Sequence, residues 1–259
     1  MKSSAQKMQL ASLDDLFSTQ ASRDEAQREK VQEIPLDELH PFAHHPFKVL
    51  DDDRMKDTAD SIREYGVLVP AIARPRPDGG YELIAGHRRK RGCELAGLKT
   101  MPVIVRELDD DASIIIMVDS NIQRENILPS ERAFAYQMKL EALKHQGLRT
   151  SSQLGTKLGR ADESLAEQTG MSRNQVQRFI RLTNLIPALL DMVDNKKIAF
   201  NPAVELSYLT QEEQGKLVDT MESEQATPSL SQAQRLKKFS QEGKLTEESM
   251  LAIMSEEKK

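Results

Sequence analysis

Gly86 stands between an apolar run, Tyr81 to Ala85, and a cationic run, Arg88-Arg89-Lys90-Arg91, that reads as helix as far as Gly97. A chain with that junction must pass from strand to helix at one residue. Glycine permits such a turn and lets backbone come close to a ligand. The first turn of a helix offers unpaired N–H groups and a partial positive charge, so anions settle there. Arg88 and Arg89 add forked donors that match phosphate oxygens. At that end of a helix they oppose the dipole, so some gain other than helix stability keeps them there. The bland alternative is a solvated basic face, and the rest of the chain argues against it.

Around this junction the pattern is that of a small α/β unit. Val31 to Leu36 predicts a strand, and Pro41 to Phe47 a loop, since two prolines block regular structure. Asp51 to Tyr65 predicts a helix with Met55, Ala59 and Ile62 on one face and Gly66 ending it. Val67 to Ala73 reads as a buried strand, Pro75 to Gly80 as a turn, and Tyr81 to Ala85 as the returning arm of a hairpin. Pro102 to Leu108 reads as a further strand.

Beyond it the chain is helical. Asp109 to Asn126 predicts a helix with Ile115, Ile116 and Val118 inside. Ser130 can cap another from Glu131 to Gln146, striped by Ala133, Tyr136, Leu140 and Leu143 and stopped by Gly147. Gly155 and Gly159 mark a hinge or insertion. Helical signals resume at Glu163 and run to about Glu213, and Pro228 to Lys259 predicts two short amphipathic helices around Gly243. The fold class is therefore α+β: a small mixed-sheet unit, an all-α unit and a short helical tail.

The 259 residues suit two or three modest domains. Residues 1–30 are polar and, apart from a Leu10–Phe17 patch, without periodicity, as in a flexible arm. No apolar run is long enough for a bilayer and no signal-peptide core is present, which places the expectation in the cytoplasm. The single cysteine, Cys93, excludes an internal disulfide and reads as a core residue beside Leu95 and Ala96. His40, His44, His45 and His87 would have to converge without cysteine support to bind zinc, so a metal cluster is not expected. The pairs Asp51–Asp53 and Asp109–Asp111 look like helix starts rather than acid–base pairs.

Glu163 to Leu182 fits a helix-turn-helix. Leu165 and Ala166 pack inside, Gly170 makes the tight turn, and Ser172 caps the second helix. Val176, Phe179 and Ile180 then face inward, leaving Arg173, Asn174, Gln175, Gln177, Arg178 and Arg181 for base edges and phosphates in a major groove. The net charge of −5 argues against bulk nucleic-acid binding, but phosphate contacts are made by patches. Residues 171–197 hold Arg173, Arg178, Arg181, Lys196 and Lys197 against only Asp191 and Asp194, whereas residues 211–259 are acidic on balance.

Three segments in order, Gly86-His87-Arg88-Arg89-Lys90-Arg91, then Ser120-Asn121-Ile122-Gln123-Arg124-Glu125-Asn126-Ile127-Leu128-Pro129-Ser130-Glu131-Arg132, then the helix-turn-helix, resemble the ParB family of partition proteins. Asp57 to Pro70, ending Ile-Arg-Glu-Tyr-Gly-Val-Leu-Val-Pro, adds to the likeness, which spans roughly residues 31–215. The resemblance implies a CTP-dependent DNA clamp. It implies that Gly86, Arg88 and Arg89 hold the triphosphate, that Asn121 helps place Mg²⁺ and phosphate, and that Gln123 and Arg124 complete that motif. His45-Pro46-Phe47 and Gly66-Val67-Leu68 would lie near base and ribose. The implied layout is an arm at 1–30, a CTP-binding domain at 31–126, a helix-turn-helix domain at 127–215 and a tail at 216–259.

The implied partners are a palindromic centromere-like site in double-stranded DNA, a second copy of the chain, and a ParA-like Walker ATPase touching the arm, with no membrane. The protein would then be cytoplasmic, on nucleoid or plasmid. His87 and Ser120 stand where the family carries glutamates, and Phe47 stands where it carries arginine. Loss of the acid at 120 argues against efficient CTP cleavage and against a phosphotransfer enzyme. The competing reading is a helix-turn-helix transcriptional or nucleoid regulator of a mobile element, built from the same residues.

Overall fold

Five short strands pair into one mixed sheet among the described residues. In the computed structural model, which describes residues 30–124, 126–150 and 155–256, these are β1 (Val31–Pro35), β2 (Leu39–Pro41), β3 (Ala71–Pro75), β4 (Tyr81–Ala85) and β5 (Thr100–Val105), in the order β1-β5-β3-β4-β2. β3 and β4 form the expected antiparallel hairpin, β1 lies antiparallel to β5, and the β3–β5 and β2–β4 pairs are parallel. Register shifts between Ile72 and Ala73, opposite the end of β4. A bulge there re-aims the backbone next to Gly86.

Successive side chains of a strand point to opposite faces. Leu83 therefore joins a core with Ile34, Ile62, Cys93, Met101 and Val103, while Ile84 joins another with Phe42, Phe47, Met117, Val118 and Ala135. The helices α1 (Asp53–Tyr65) and α2 (His87–Ala96) cover the first face, and α3 (Asp110–Ile122) and α4 (Pro129–Thr150) the second. Asp52 and Asp109 cap α1 and α3 by accepting the N–H groups of Met55 and Ala112. Gly92 lets α2 lie on α1, since a Cβ there would stand 2.7 Å from Cδ1 of Ile62.

The remaining helices among the described residues are α5 (Gly155–Thr169), α6 (Arg173–Arg181), α7 (Pro187–Asp194), α8 (Phe200–Leu206), α9 (Gln211–Glu224), α10 (Leu230–Gln241) and α11 (Glu247–Met254). Tyr136 and Leu140 of α4 pack with Leu165, Ala166 and Val176, so α4 supports α5 and α6. A separate core runs from Leu182 through Leu189, Leu206, Leu217 and Leu236 to Met254, and the two C-terminal helices on either side of Gly243 pack into it.

Several boundaries differ from expectation. The strand expected from Val67 begins at Ala71, because Gly66 and Pro70 bracket a loop in which Leu68 and Val69 are 78% and 63% exposed. β1 ends at Pro35, where Leu36–Glu38 forms a 3-10 turn that feeds β2, a strand the sequence did not announce. β5 starts and ends earlier than Pro102 and Leu108. α3 ends at Ile122, leaving Gln123 and Arg124 beyond it, and its buried side is Ser113, Met117, Val118 and Asn121, with Ile115 and Ile116 half-buried.

Ser130 is not the cap of α4. It is the second helical residue, and its N–H and hydroxyl both donate to Asp194 at the end of α7. Gly147 does not stop α4, which continues to Thr150, and Gly155 and Gly159 lie within α5 rather than in a hinge. A glycine costs a helix only about 1 kcal/mol, which tertiary packing overrides. The continuous helical signal to Glu213 is divided among α5 to α8 and the start of α9. The arm expected at 1–30, with its Leu10–Phe17 patch, lies outside the described residues, Lys30 apart.

Lys139 of α4 has a side chain with no exposed surface, and its ammonium donates to Asp119 of α3 and to the amide oxygen of Gln168 of α5. A buried charge is costly unless paired, so one ammonium fixes α3, α4 and α5 together. Asp119→Ala leaves that charge without a counter-ion. It should lower stability by about 1–3 kcal/mol, a range discounted because Asp119 is 47% exposed. Lys139→Met, which removes the charge with its partner's burden, should cost less. Urea unfolding of the two variants checks the order, and an unchanged midpoint for Asp119→Ala would mean that Gln168 alone satisfies the ammonium.

Candidate nucleotide and nucleic-acid sites

The turn at Gly86 is one residue long. Gly86 has φ of 112°, in the left-handed region, between the end of β4 and the start of α2. A Cβ there would stand 2.9 Å from Cβ of Ala71 and 3.3 Å from the guanidinium carbon of Arg89. Backbone freedom and space both require glycine. The first turn of α2 carries no acid.

Beside that turn lies a cleft of about 670 Å³ whose charged lining is Lys48, Asp52, Arg54, Arg88, Arg124 and Glu131. Four cations face two carboxylates. Arg88 lies 3.7 Å from Asp52. The Arg124 guanidinium sits 5.9 Å from the centroid of the Phe47 ring, a cation–π brace. Burial and the repulsion of Arg88 lower the pKa of Arg124, and Glu131 opposes that. These are cations held close together against their own repulsion, which an anion would relieve.

Of the six residues expected to hold nucleotide, Arg88 and Arg124 line this cleft and Gly86 forms the turn beside it. Arg89 donates instead to the carbonyls of Val69 and Pro70, and burial lowers its pKa. It latches the exposed Leu68–Val69 loop onto the helix start. Gln123 is exposed at the end of α3 and does not line the cleft. Asn121 is 3% exposed, and its Nδ2 donates 2.8 Å to the Met117 carbonyl. Its Oδ1 is buried with no hydrogen-bond partner. An amide oxygen is a ligand type that suits a hard cation such as Mg²⁺, but Asn121 itself does not line the cleft. Lys48, Arg54 and Asp52 joined the cleft through the fold alone, with no spacing signal in the sequence. Glu131 lies within the segment that carries the family likeness, which gives it no separate role.

A larger cleft, about 1240 Å³, opens between the β3–β4 turn and α4. Its walls carry Glu82, Asp109, Asp110, Asp111 and Glu141, and its Arg74 is bound by Glu82 and Asp110 at 2.7 Å each. That excess of acid repels a polyphosphate, so charge favours the smaller cleft over the roomier one. His45 and Pro46 line the larger cleft, while Phe47 is buried under Arg124.

His87 stacks on His45 at 3.9 Å between ring centroids, and its Nε2 accepts the Phe42 N–H. Burial first, then the charges of His45, Arg124 and Lys90, push the His87 pKa down to about 3. Burial also lowers that of His45, whose Nδ1–H donates to the Phe47 carbonyl. Both rings are neutral near pH 7. Among the described residues no three His, Cys, Asp or Glu side chains group to hold a metal.

In the helix-turn-helix, Gly170 has φ of 65° and Ser172 caps α6 in a reciprocal box with Gln175. Gln175 is thereby engaged at the cap. Arg173 pairs with Glu163 at 3.4 Å and Gln177 donates to Asp162 at 3.0 Å. Asn174 is exposed. Arg178 donates to Asn201 at 2.7 Å over the Phe200 ring, and Arg181 donates to the Ser207 carbonyl over the Tyr208 ring at 4.0 Å. Lys237 of α10 meets the same Tyr208 ring at 3.7 Å. These aromatic braces were not foreseeable, since nothing in the sequence puts residue 208 beside residues 181 and 237.

The ParB N-terminal domain matches residues 20–122 and the ParB HTH domain residues 147–238. The chain is 34% identical over 183 residues to the chromosome-partitioning protein Spo0J of Thermus thermophilus, covering 71% of this chain and 62% of that protein. It is 31% identical to a nucleoid occlusion protein of Halalkalibacterium halodurans, covering 66% of this chain and 55% of that one. Among solved structures, a C-terminally truncated ParB from Caulobacter crescentus complexed with CTP-gamma-S is 30% identical, covering 70% of this chain and 94% of that chain, with a TM-score of 0.35. The chain spans about three-fifths of the length of the curated relatives it matches.

The His87 environment sets a pH dependence. A histidine whose folded pKa lies below its unfolded value of 6.5 adds full stability above pH 6.5 and loses it as pH falls towards about 3. The slope is at most about 1.4 kcal/mol per pH unit. Chemical unfolding at pH 7, 6, 5 and 4 should show this fall, and His87→Gln should flatten it. Parallel curves for the two proteins would place the pH dependence elsewhere.

Proposed function

The chain belongs to the ParB family, and on that premise we propose that it is a DNA-binding partition protein that reads a palindromic site as a homodimer and uses CTP to close into a sliding clamp. The observation that carries this is the cation cleft beside the Gly86 turn, on the same chain as a helix-turn-helix whose outward residues are Arg, Asn and Gln. In this reading Arg88 and Arg124 hold phosphate oxygens, with Gly86 letting backbone approach them. Arg89 takes part after leaving the carbonyls of Val69 and Pro70, or holds the loop over the nucleotide. Asn121 Oδ1 and the phosphates would hold Mg²⁺, which supplies charge neutralisation, and Gln123 lies at the end of the same helix. The choice of cytidine rests on the family.

On DNA, Asn174, Arg173, Gln177 and Arg178 face the groove, while Gln175 acts at the cap and Arg181 at the edge. For CTP to drive closure it must bind the closed form better than the open one. A ParA-like Walker ATPase is the expected partner, and no described helix is long and apolar enough to cross a membrane. A cytoplasmic site on nucleoid or plasmid goes with that reading. With Ser120 in place of an acid, turnover is weak. A second reading, a nucleoid regulator that segregates nothing, is favoured by the likeness to a nucleoid occlusion protein. Failure of a deletion strain to inherit its replicon supports partition over it.

Calorimetric titration of CTP tests the pocket. Binding should be at least tenfold weaker in Arg88→Ala, with other nucleoside triphosphates weaker than CTP on the wild type. An unchanged affinity would move the phosphates out of this cleft. Arg178→Ala should weaken DNA binding by about 1–3 kcal/mol if it reads a base edge. A mobility shift equal to that of the wild type on the same duplex would remove Arg178 from the groove.

A further inference from the structure

Glu131 occupies the first turn of α4 and is 7% exposed, yet it borders the cation cleft. Its two oxygens face different partners. Oε1 accepts the backbone N–H of Lys48 at 2.7 Å, and Oε2 accepts the N–H of Leu128 at 3.0 Å. Lys48 follows Phe47, the buried ring over which Arg124 is braced. Leu128 leads into α4, whose Tyr136 and Leu140 form one core with Leu165 and Val176 of the helix-turn-helix. A single carboxylate therefore ties the wall of the cleft to the helix that supports the DNA reader.

We infer that Glu131 is the positioning residue through which a triphosphate in the cleft releases α4. The inference rests on the nucleotide reading above. Asp52 and Glu131 supply the negative charge that offsets the repulsion among the cleft's cations. A triphosphate brings more negative charge than either carboxylate and takes over Arg88 and Arg124. Glu131 is then left buried beside an anion of like sign, and its hold on the Lys48 and Leu128 amides weakens. The tie holds the open arrangement, and occupancy loosens it.

Glu131→Gln keeps the side chain's size, removes its charge, and can accept at most one of the two N–H groups well. CTP should bind it about three- to tenfold tighter, since a repelling charge has gone. Crosslinking between the two chains of the dimer should rise without nucleotide and respond less to added CTP. A merely structural role predicts weaker CTP binding and no gain in basal crosslinking, which would overturn the inference.

Amide hydrogen exchange on the wild type gives a readout that needs no variant. Saturating CTP should speed exchange at Lys48 and Leu128 by about tenfold or more, and unchanged protection there while CTP binds would also overturn it. If the wild type binds no nucleoside triphosphate, the nucleotide reading fails first and this inference falls with it.

Discussion

Everything that positions the candidate site depends on the backbone reversal at Gly86. β4 is an interior strand of the sheet and α2 lies across its face, so the chain must leave one and enter the other with no spare residue. The left-handed φ of 112° makes that possible, and the 2.9 Å approach to Ala71 leaves no room for any side chain. The bulge at Ile72–Ala73 and the Arg89 bonds to Val69 and Pro70 brace the same corner from the neighbouring strand. Arg88 then leaves the helix start in the one direction where Arg124, Lys48 and Arg54 already converge.

The parts of this fold that were legible in sequence are those fixed by local chemistry. Gly66, Gly97, Gly170 and Ser172 act at helix ends through their own backbone or side chain, and each does so where the pattern put it. The hairpin of β3 and β4 and the twin helices around Gly243 followed from turn residues in the same way. Features decided by distant partners were not legible. Ser130 looked like a cap because its partner Asp194 is 64 positions away. Gly147 looked like a stop, yet the helix runs through it. Val67–Val69 looked like a buried strand because apolar runs carry no mark of exposure.

The site divides along the same line. Arg88 and Gly86 could be chosen from spacing, and Arg124 from the family motif, because phosphate chemistry leaves a local trace. The carboxylates that balance them could not. Asp52 serves α1 as its cap, accepting the Met55 N–H at 2.9 Å, and Arg88 approaches it at 3.7 Å. Glu131 serves the start of α4 and the Lys48 amide. In sequence Asp52 lies within an acidic helix start that the dipole alone would explain, and Glu131 carries no separate signal within the family-like segment.

That double use shapes what an anion can do here. A cleft lined only by cations would bind a polyphosphate tightly and report nothing, because its walls would stay where they were. Asp52 stands 3.7 Å from Arg88 and the Glu131 charge favours the Arg124 cation, so an incoming anion competes with internal carboxylates and its apparent affinity is a difference between two sets of interactions. In the proposed switch, the part of the binding energy lost in that exchange would move the Lys48 loop and α4 relative to each other. Lys139 sets the limit of the movement, because its buried ammonium joins α3 and α5 through α4 and cannot leave both partners without exposing an unpaired charge. α3, α4 and α5 are thereby held to one another, and in the proposed switch a change at the mouth of the cleft would reach the helix-turn-helix through that joined body.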